Sequence, residues 1–227
     1  MKFSIAISIK IVAPDRQLKV FFESLKDVMR SENNTLGIPV LDPFETDFQN
    51  ITINNDLFSV DFNASNLKVG GLSNYIVNEA HFKFQDQELT LNATWSSLKV
   101  VTSYGLKAFK KDWPDFPLFG NGDTVFDAKD LTVAVKIKLS AAKETNKLSI
   151  DALSTNISLG SIDFRATGIY DDEEASETIN KLISSSLPHA VNFHQYLFIG
   201  TIDSELTKLL DGFINEKTLE HATHIIG

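Results

Sequence analysis

The chain has 227 residues, enough for one large domain or two small ones, and its 43% hydrophobic and 22% charged residues are an ordinary globular balance. A formal charge of −9 and a pI near 5.0 argue against a polyanion such as nucleic acid as partner, because phosphate binding draws on Lys and Arg. The absence of Cys excludes disulfides, thiolate nucleophiles and Cys-ligated zinc, while 17 Phe leave much non-hydrogen-bonding surface to bury in a core or around an apolar ligand.

In Met1–Ala13, Lys2 followed by the apolar run Phe3–Ile9 reads as a short signal peptide. The alternative is a strand, since Phe3, Ile5, Ile7, Ile9 and Ile11 alternate with smaller or polar residues. The run is too short to span a membrane, and no other stretch reaches ~18 apolar residues, so no stable membrane insertion is expected. Residues 14–227 read as a single domain. Pro14 and Asp15 start a helix to about Arg30, with Leu18, Phe21, Phe22, Leu25, Val28 and Met29 on one face. Ser31–Thr35 is a polar loop, and Pro39 and Pro43 then force an extended segment through Phe44.

From Phe48 to Ala166 the period is two. Expected strands include Leu57–Phe62, Asn66–Val69 (closed by Gly70-Gly71) and Tyr75–Phe84. Leu89, Leu91, Ala93 and Trp95 alternate next, then Leu98, Val100, Thr102 and Tyr104. Pro114, Pro117, Gly120 and Gly122 mark Trp113–Gly122 as a loop. Val125–Leu139 is a long strand, Lys143–Lys147 turns the chain and Leu148–Phe164 returns it. The pattern predicts an antiparallel meander with one wet face.

The chain ends in a helical stripe from about Asp171 to Asn215, including Ile179, Ile183, Leu187, Val191 and Leu197. Asp171 with Glu174 can close a capping box. Pro188 deletes one helical hydrogen bond and predicts a kink or break near Ser184–Leu187. A helix this long needs a partner helix or a sheet that bends around it, and the strands before it favour the sheet.

The short helix followed by Leu36-Gly37-Ile38-Pro39-Val40-Leu41-Asp42-Pro43-Phe44 resembles the N-terminal signature of the insect takeout and haemolymph juvenile-hormone-binding family. Asn66-Leu67-Lys68-Val69-Gly70-Gly71-Leu72-Ser73 is similar to its next landmark, as are Gly120-Asn121-Gly122 with the long strand after it and the terminal helix. The resemblance implies an α+β fold: a strongly curved antiparallel β-sheet wrapped around one long C-terminal α-helix, with a short N-terminal helix. It also implies a secreted, non-enzymatic carrier without metal or cofactor, taking a terpenoid hormone or fatty-acid-like lipid into an apolar tunnel. Two family features have no counterpart: the N-terminal cysteine pair, and a Tyr on Val125–Leu139 to meet a hormone's polar head.

Candidate tunnel-lining residues are Phe22, Leu25, Met29, Phe84, Trp95, Val100, Tyr104, Val135 and Leu197, with Trp95 and Tyr104 able to orient a ligand. Most of the apolar faces on these elements also fit ordinary core packing. Catalytic and metal readings find little support. His189 and His194 are five apart, on different faces of a helix; His221 and His224 lie in a terminal tail; Ser73, in Gly71-Leu72-Ser73-Asn74-Tyr75, lacks the second Gly of a nucleophile elbow. Candidate N-glycosylation sites are Asn33, Asn50, Asn63, Asn92 and Asn156. The alternative function is an interaction protein of the same fold whose tunnel is filled with Phe; no receptor or protein partner can be named from the sequence.

Overall fold

A computed structural model describes residues 14–32, 39–54, 58–141 and 148–214. The expected signal peptide, most of the Ser31–Thr35 loop, the Lys143–Lys147 turn and the His221–His224 tail lie outside them. Helix α1 (Pro14–Arg30) has the bounds its sequence predicts. Seven strands follow: β1 (Phe44–Asn54), β2 (Phe58–Gly70), β3 (Tyr75–Lys83), β4 (Glu88–Lys110), β5 (Trp113–Ala141), β6 (Leu148–Ser158) and β7 (Ser161–Ala166). Helix α2 (Glu173–His194), a 3-10 turn (Gln195–Leu197) and helix α3 (Ile199–Ile214) complete the described chain.

The strands form one unclosed, curved antiparallel sheet in the order β1-β2-β4-β5-β6, with β3 also on β4 and β7 also on β5. β2 and β3 together line one edge of β4, and β6 and β7 line the outer edge of β5. The sheet therefore has five rows, two of them interrupted.

The interruptions share one line across the strands. On β4 the inward residues are Leu89, Leu91, Ala93 and Trp95, then Leu98, Val100, Thr102 and Tyr104, a step of three after Trp95. β5 makes the same step between Leu131 and Ala128, where Asp130 has φ +52°. The β4–β5 register runs unbroken past this point, so both strands reverse faces together. Gly71 (φ +92°) and Gly160 mark the line in the flanking rows, where an added Cβ would sit 2.9 Å from the Ser97 carbonyl and 2.9 Å from the Asp130 Cβ. This crease divides the sheet into a half under α1 and a half facing α2.

Five expectations are corrected. Trp113–Gly122 is strand, not loop: its prolines fall where the β4–β5 register slips between Ala108 and Lys110, so no ladder bond is lost there. Gly120 and Gly122 serve close approach, since an added Cβ would lie 2.6 Å from the Tyr104 hydroxyl and 2.5 Å from the Thr167 carbonyl, respectively. Leu148–Phe164 is two strands, and the two strands expected within Leu57–Val69 are one, β2 (Phe58–Gly70), with a bulge at Asn66 (φ +54°). The terminal helix passes through Pro188 and breaks instead after His194, where His194 and Phe198 leave helical geometry. Leu187 and Val191 pack into the core on either side of Pro188 and carry the helix across the missing bond. The N-cap is Asp172, whose carboxylate accepts from the Ala175 N–H, rather than Asp171.

Asp42 ties the two N-terminal sequence landmarks together. Its carboxylate accepts from the Gly71 and Ser73 main-chain N–H groups and from the Ser73 hydroxyl. Arg30 donates to Ser73 and Asn74, and the Leu41 and Asp42 N–H groups close the end of α1 on the Met29 carbonyl. Burial opposes ionisation of Asp42, but the bonds from Ser73 and Gly71 and the nearby Arg30 charge outweigh it and hold the carboxyl below its ordinary 3.8. The resulting stabilisation is complete above the unfolded-state value and is lost as pH falls through the lower folded-state value. Asp42→Asn is expected to cost about 1–3 kcal/mol at pH 7 and to shrink the stability lost on acidification. Urea unfolding at pH 7 and in the acid range measures both, and an unchanged acid limb would remove Asp42 from this role.

α2 replaces a sheet strand with side chains. Asn180 accepts from the Ala166 N–H and donates to its carbonyl, and Asn192 does the same at Leu159. Ser176 and Ser184 meet Ile169 and Phe164, and Gln195 accepts from Ile157. Four of these positions fall on the spacing 176, 180, 184 and 192, with Pro188 in the remaining place. This polar stripe faces the β6–β7 edge and satisfies main-chain groups that would otherwise be exposed templates for another strand.

Candidate functional site

An apolar cavity of about 440 Å³ lies in the half of the sheet facing α2. β2 contributes Phe62, Ala64 and Leu67; β4 contributes Val100, Thr102, Tyr104 and Leu106. β5 and β7 add Leu118, Phe126 and Phe164, and Ile179 and Ile183 of α2 form the helical wall. The alternation of each strand places these side chains on the concave face, and the gap of four brings both Ile onto one helical side. Gln49 and Ile51 of the outer strand β1 and Phe119 of β5 are the exposed residues of the lining.

The wall is apolar in effect as well as composition. The Tyr104 hydroxyl donates to the Thr167 carbonyl at 2.9 Å, and its burial raises its pKa. Thr102 donates to the Ser65 carbonyl at 2.9 Å and Thr124 to the Arg165 carbonyl at 3.0 Å. Among the described residues no charged side chain lines the cavity.

Of the candidate residues, Val100 and Tyr104 line this cavity. Phe22, Met29 and Trp95 pack in a separate cluster around Leu18, Tyr75 and Val77, beneath α1. There the Trp95 N–H donates to the Leu72 carbonyl, and the Tyr75 hydroxyl donates to the Phe22 carbonyl, with burial pushing its pKa up to about 12. Leu25 is half-buried on α1, and Val135 is half-buried on β5 opposite Leu91. Phe84 and Leu197 are exposed, at 63% and 73%. Sequence reasoning did not single out Phe62, Leu106, Phe164, Ile179 or Ile183 as lining, although their alternation and helical spacing were visible; what was missing was the relative phase of the elements.

His189 and His194 differ from expectation: their ring centroids are 5.8 Å apart, because the helix ends at His194. Among the described residues no group of three or more His, Cys, Asp or Glu is placed to hold a metal ion. Asn50, Asn63 and Asn156 are exposed on strands, whereas Asn92 is half-buried and accepts from Asn78; Asn33 lies outside the described residues. No described helix is long and apolar enough to cross a membrane.

No curated protein sequence matches the chain. The fold is similar to that of Takeout 1 from Epiphyas postvittana, with a TM-score of 0.63 at 12% identity over 89% of this chain and 93% of that one. A lipopolysaccharide binding protein aligns at a TM-score of 0.42 and 14% identity, over 88% of this chain and 40% of that one, too distant to carry an argument. The sequence profile of the haemolymph juvenile hormone binding protein family matches residues 13–223. With nearly the whole chain inside that match, and with the curved sheet, long helix and short N-terminal helix in place, the chain belongs to the haemolymph juvenile hormone binding protein family.

Proposed function

We propose that the protein is a non-enzymatic extracellular carrier of one small hydrophobic ligand, held in the cavity between the sheet and α2. The observation that carries this reading is the cavity itself: about 440 Å³ of unfilled space with an almost wholly apolar wall, within the usual size range of small-molecule sites. Unfilled space supports a carrier over an interaction protein whose interior is filled by Phe. The family description supports an extracellular fluid as the setting. Burial of ~0.8 kcal/mol per methylene would hold a long chain with little polar readout.

The test is secretion from a eukaryotic host, native purification, organic extraction and mass spectrometry. One apolar molecule per protein is expected, or else stoichiometric uptake of a neutral naphthylamine probe by empty protein. Empty protein that also takes up no probe would overturn the carrier reading.

A further inference from the structure

We propose that Asn63 carries an N-linked glycan whose first N-acetylglucosamine is seated on the outer face of the sheet, in a groove floored by Gly105 and walled by Phe119. The proposal rests on the extracellular setting inferred above and not on what the cavity holds.

Asn63-Ala64-Ser65 is a sequon, and Asn63 is exposed on β2. Ala64 borders the cavity, so strand alternation turns Asn63 to the opposite, outer face. The ladder sets Asn63 opposite Gly105 of β4, and Gly105 opposite Asn121 of β5. Two residues along, the next outer row is Asp61, Lys107 and Phe119. All six line a groove of about 670 Å³. Gly105 is the position among them without a side chain, and it leaves a pit between the two Asn. The Asn63 amide already lies across this pit: a Cβ on Gly105 would be 2.8 Å from its nitrogen and its oxygen. On the other side of Asn63 stands Asn50 of β1, its register partner and itself in a sequon. A glycan on Asn63 therefore leaves over Gly105, toward β5.

The pit offers what a sugar ring needs. Phe119 borders this groove as well as the cavity and is 38% exposed. It packs edge-to-face on Tyr170, with ring centroids 5.1 Å apart, and the Tyr170 N–H donates to the Phe119 carbonyl at 3.0 Å. Tyr170 and Asp171 take left-handed backbone angles, φ +57° and +54°, to bring the chain there. The negative face of an aromatic ring attracts the C–H face of a sugar, while the hydroxyls at the sugar's rim require polar partners. Asp61, Lys107 and Asn121 are exposed around the pit and supply acceptors and donors. The covalent tether keeps the sugar at high effective concentration, so contacts too weak to hold a free saccharide suffice. On attachment, the Asn63 side-chain nitrogen bonds to C1 of a polyprenyl-diphosphate-linked oligosaccharide. The C1–O bond to the diphosphate breaks, the diphosphate leaves, and the amide gives up one proton.

The full chain is to be secreted, behind a host leader, from a eukaryotic host that makes high-mannose glycans. Endoglycosidase H then leaves one N-acetylglucosamine on each occupied Asn, and peptide mass mapping should find it on Asn63. Ser65→Ala, which removes the sequon and keeps Asn63, should lower the melting temperature of the trimmed protein by about 2–4 °C. That shift should vanish in a Phe119→Ala background, which lacks the stacking surface, and in Gly105→Ala, whose methyl displaces Asn63 from the pit. It should also vanish in protein made in bacteria, where no glycan is attached. An unmodified Asn63 would overturn the site. A modified Asn63 with no shift, or with the same shift in both backgrounds or in bacterial protein, would overturn the seat. Naphthylamine uptake by the trimmed wild-type protein tests the carrier reading separately; its failure beside a seated sugar would overturn the carrier reading alone.

Discussion

Ala64→Phe is expected to lower affinity for methyl tetradecanoate about a hundredfold while the protein stays folded. Ala64 is 3% exposed, sits on β2 opposite Tyr104 of β4, and its methyl borders the cavity. A phenyl ring there enters void rather than packed neighbours, so the usual overpacking penalty of ~1–3 kcal/mol should be relieved. The ring takes the place of several ligand carbons, and losing about 2.7 kcal/mol of ligand burial corresponds to the hundredfold. Probe titration gives the affinity, and a thermal melt shows whether the fold survives. A folded variant with undiminished affinity would place the ligand elsewhere in the molecule.

The largest effect on stability is expected from Asn180→Ala combined with Asn192→Ala. Each Asn pairs with both main-chain groups of one edge residue, Ala166 or Leu159. Removing either leaves an edge N–H and C=O to partial hydration, at about 1–2 kcal/mol per site. The two are some 18 Å apart along α2, at 1.5 Å per residue, so the losses should add to about 3 kcal/mol. Urea unfolding reads the total, and hydrogen exchange should show faster exchange at Leu159 and Ala166. A combined loss below about 0.5 kcal/mol with unchanged exchange would mean that water replaces these side chains without cost. Such an outcome would leave the apolar contacts of Ile179, Leu187 and Val191 as the attachment of α2 to the sheet.

The stripe of Ser176, Asn180, Ser184 and Asn192 shows how a polar helical face can mislead. Read alone, it is a solvated face; in the fold it is the side of α2 that meets main chain. Only tertiary placement distinguishes the two, because an edge strand's backbone is invisible in the sequence. The same holds for Pro188. Its local cost was legible, but the packing of Leu187 and Val191 that overrides it was not. In Trp113–Gly122 the prolines and glycines were read as breakers, yet they occupy a register slip and two close backbone approaches that no local rule reveals.

The sequence by itself determined the sequence of helix, strands and long terminal helix, the bounds of α1, the antiparallel sheet and the apolar stripe of that terminal helix, but not the number of strands. These follow from local quantities: the periods of two and 3.6, and the fixed dihedral of proline. Even the crease was written there, as the three-residue steps from Trp95 to Leu98 and from Ala128 to Leu131. Tertiary structure alone decided which apolar faces close into a core and which leave a cavity. Trp95 and Val100 stand on the same strand with similar apolar surroundings in sequence, but the crease between them sends one beneath α1 and the other to the cavity wall. Periodicity fixes the phase of each element separately. Whether a void remains depends on how far apart the elements are held, and that distance is set by side chains distant in the chain.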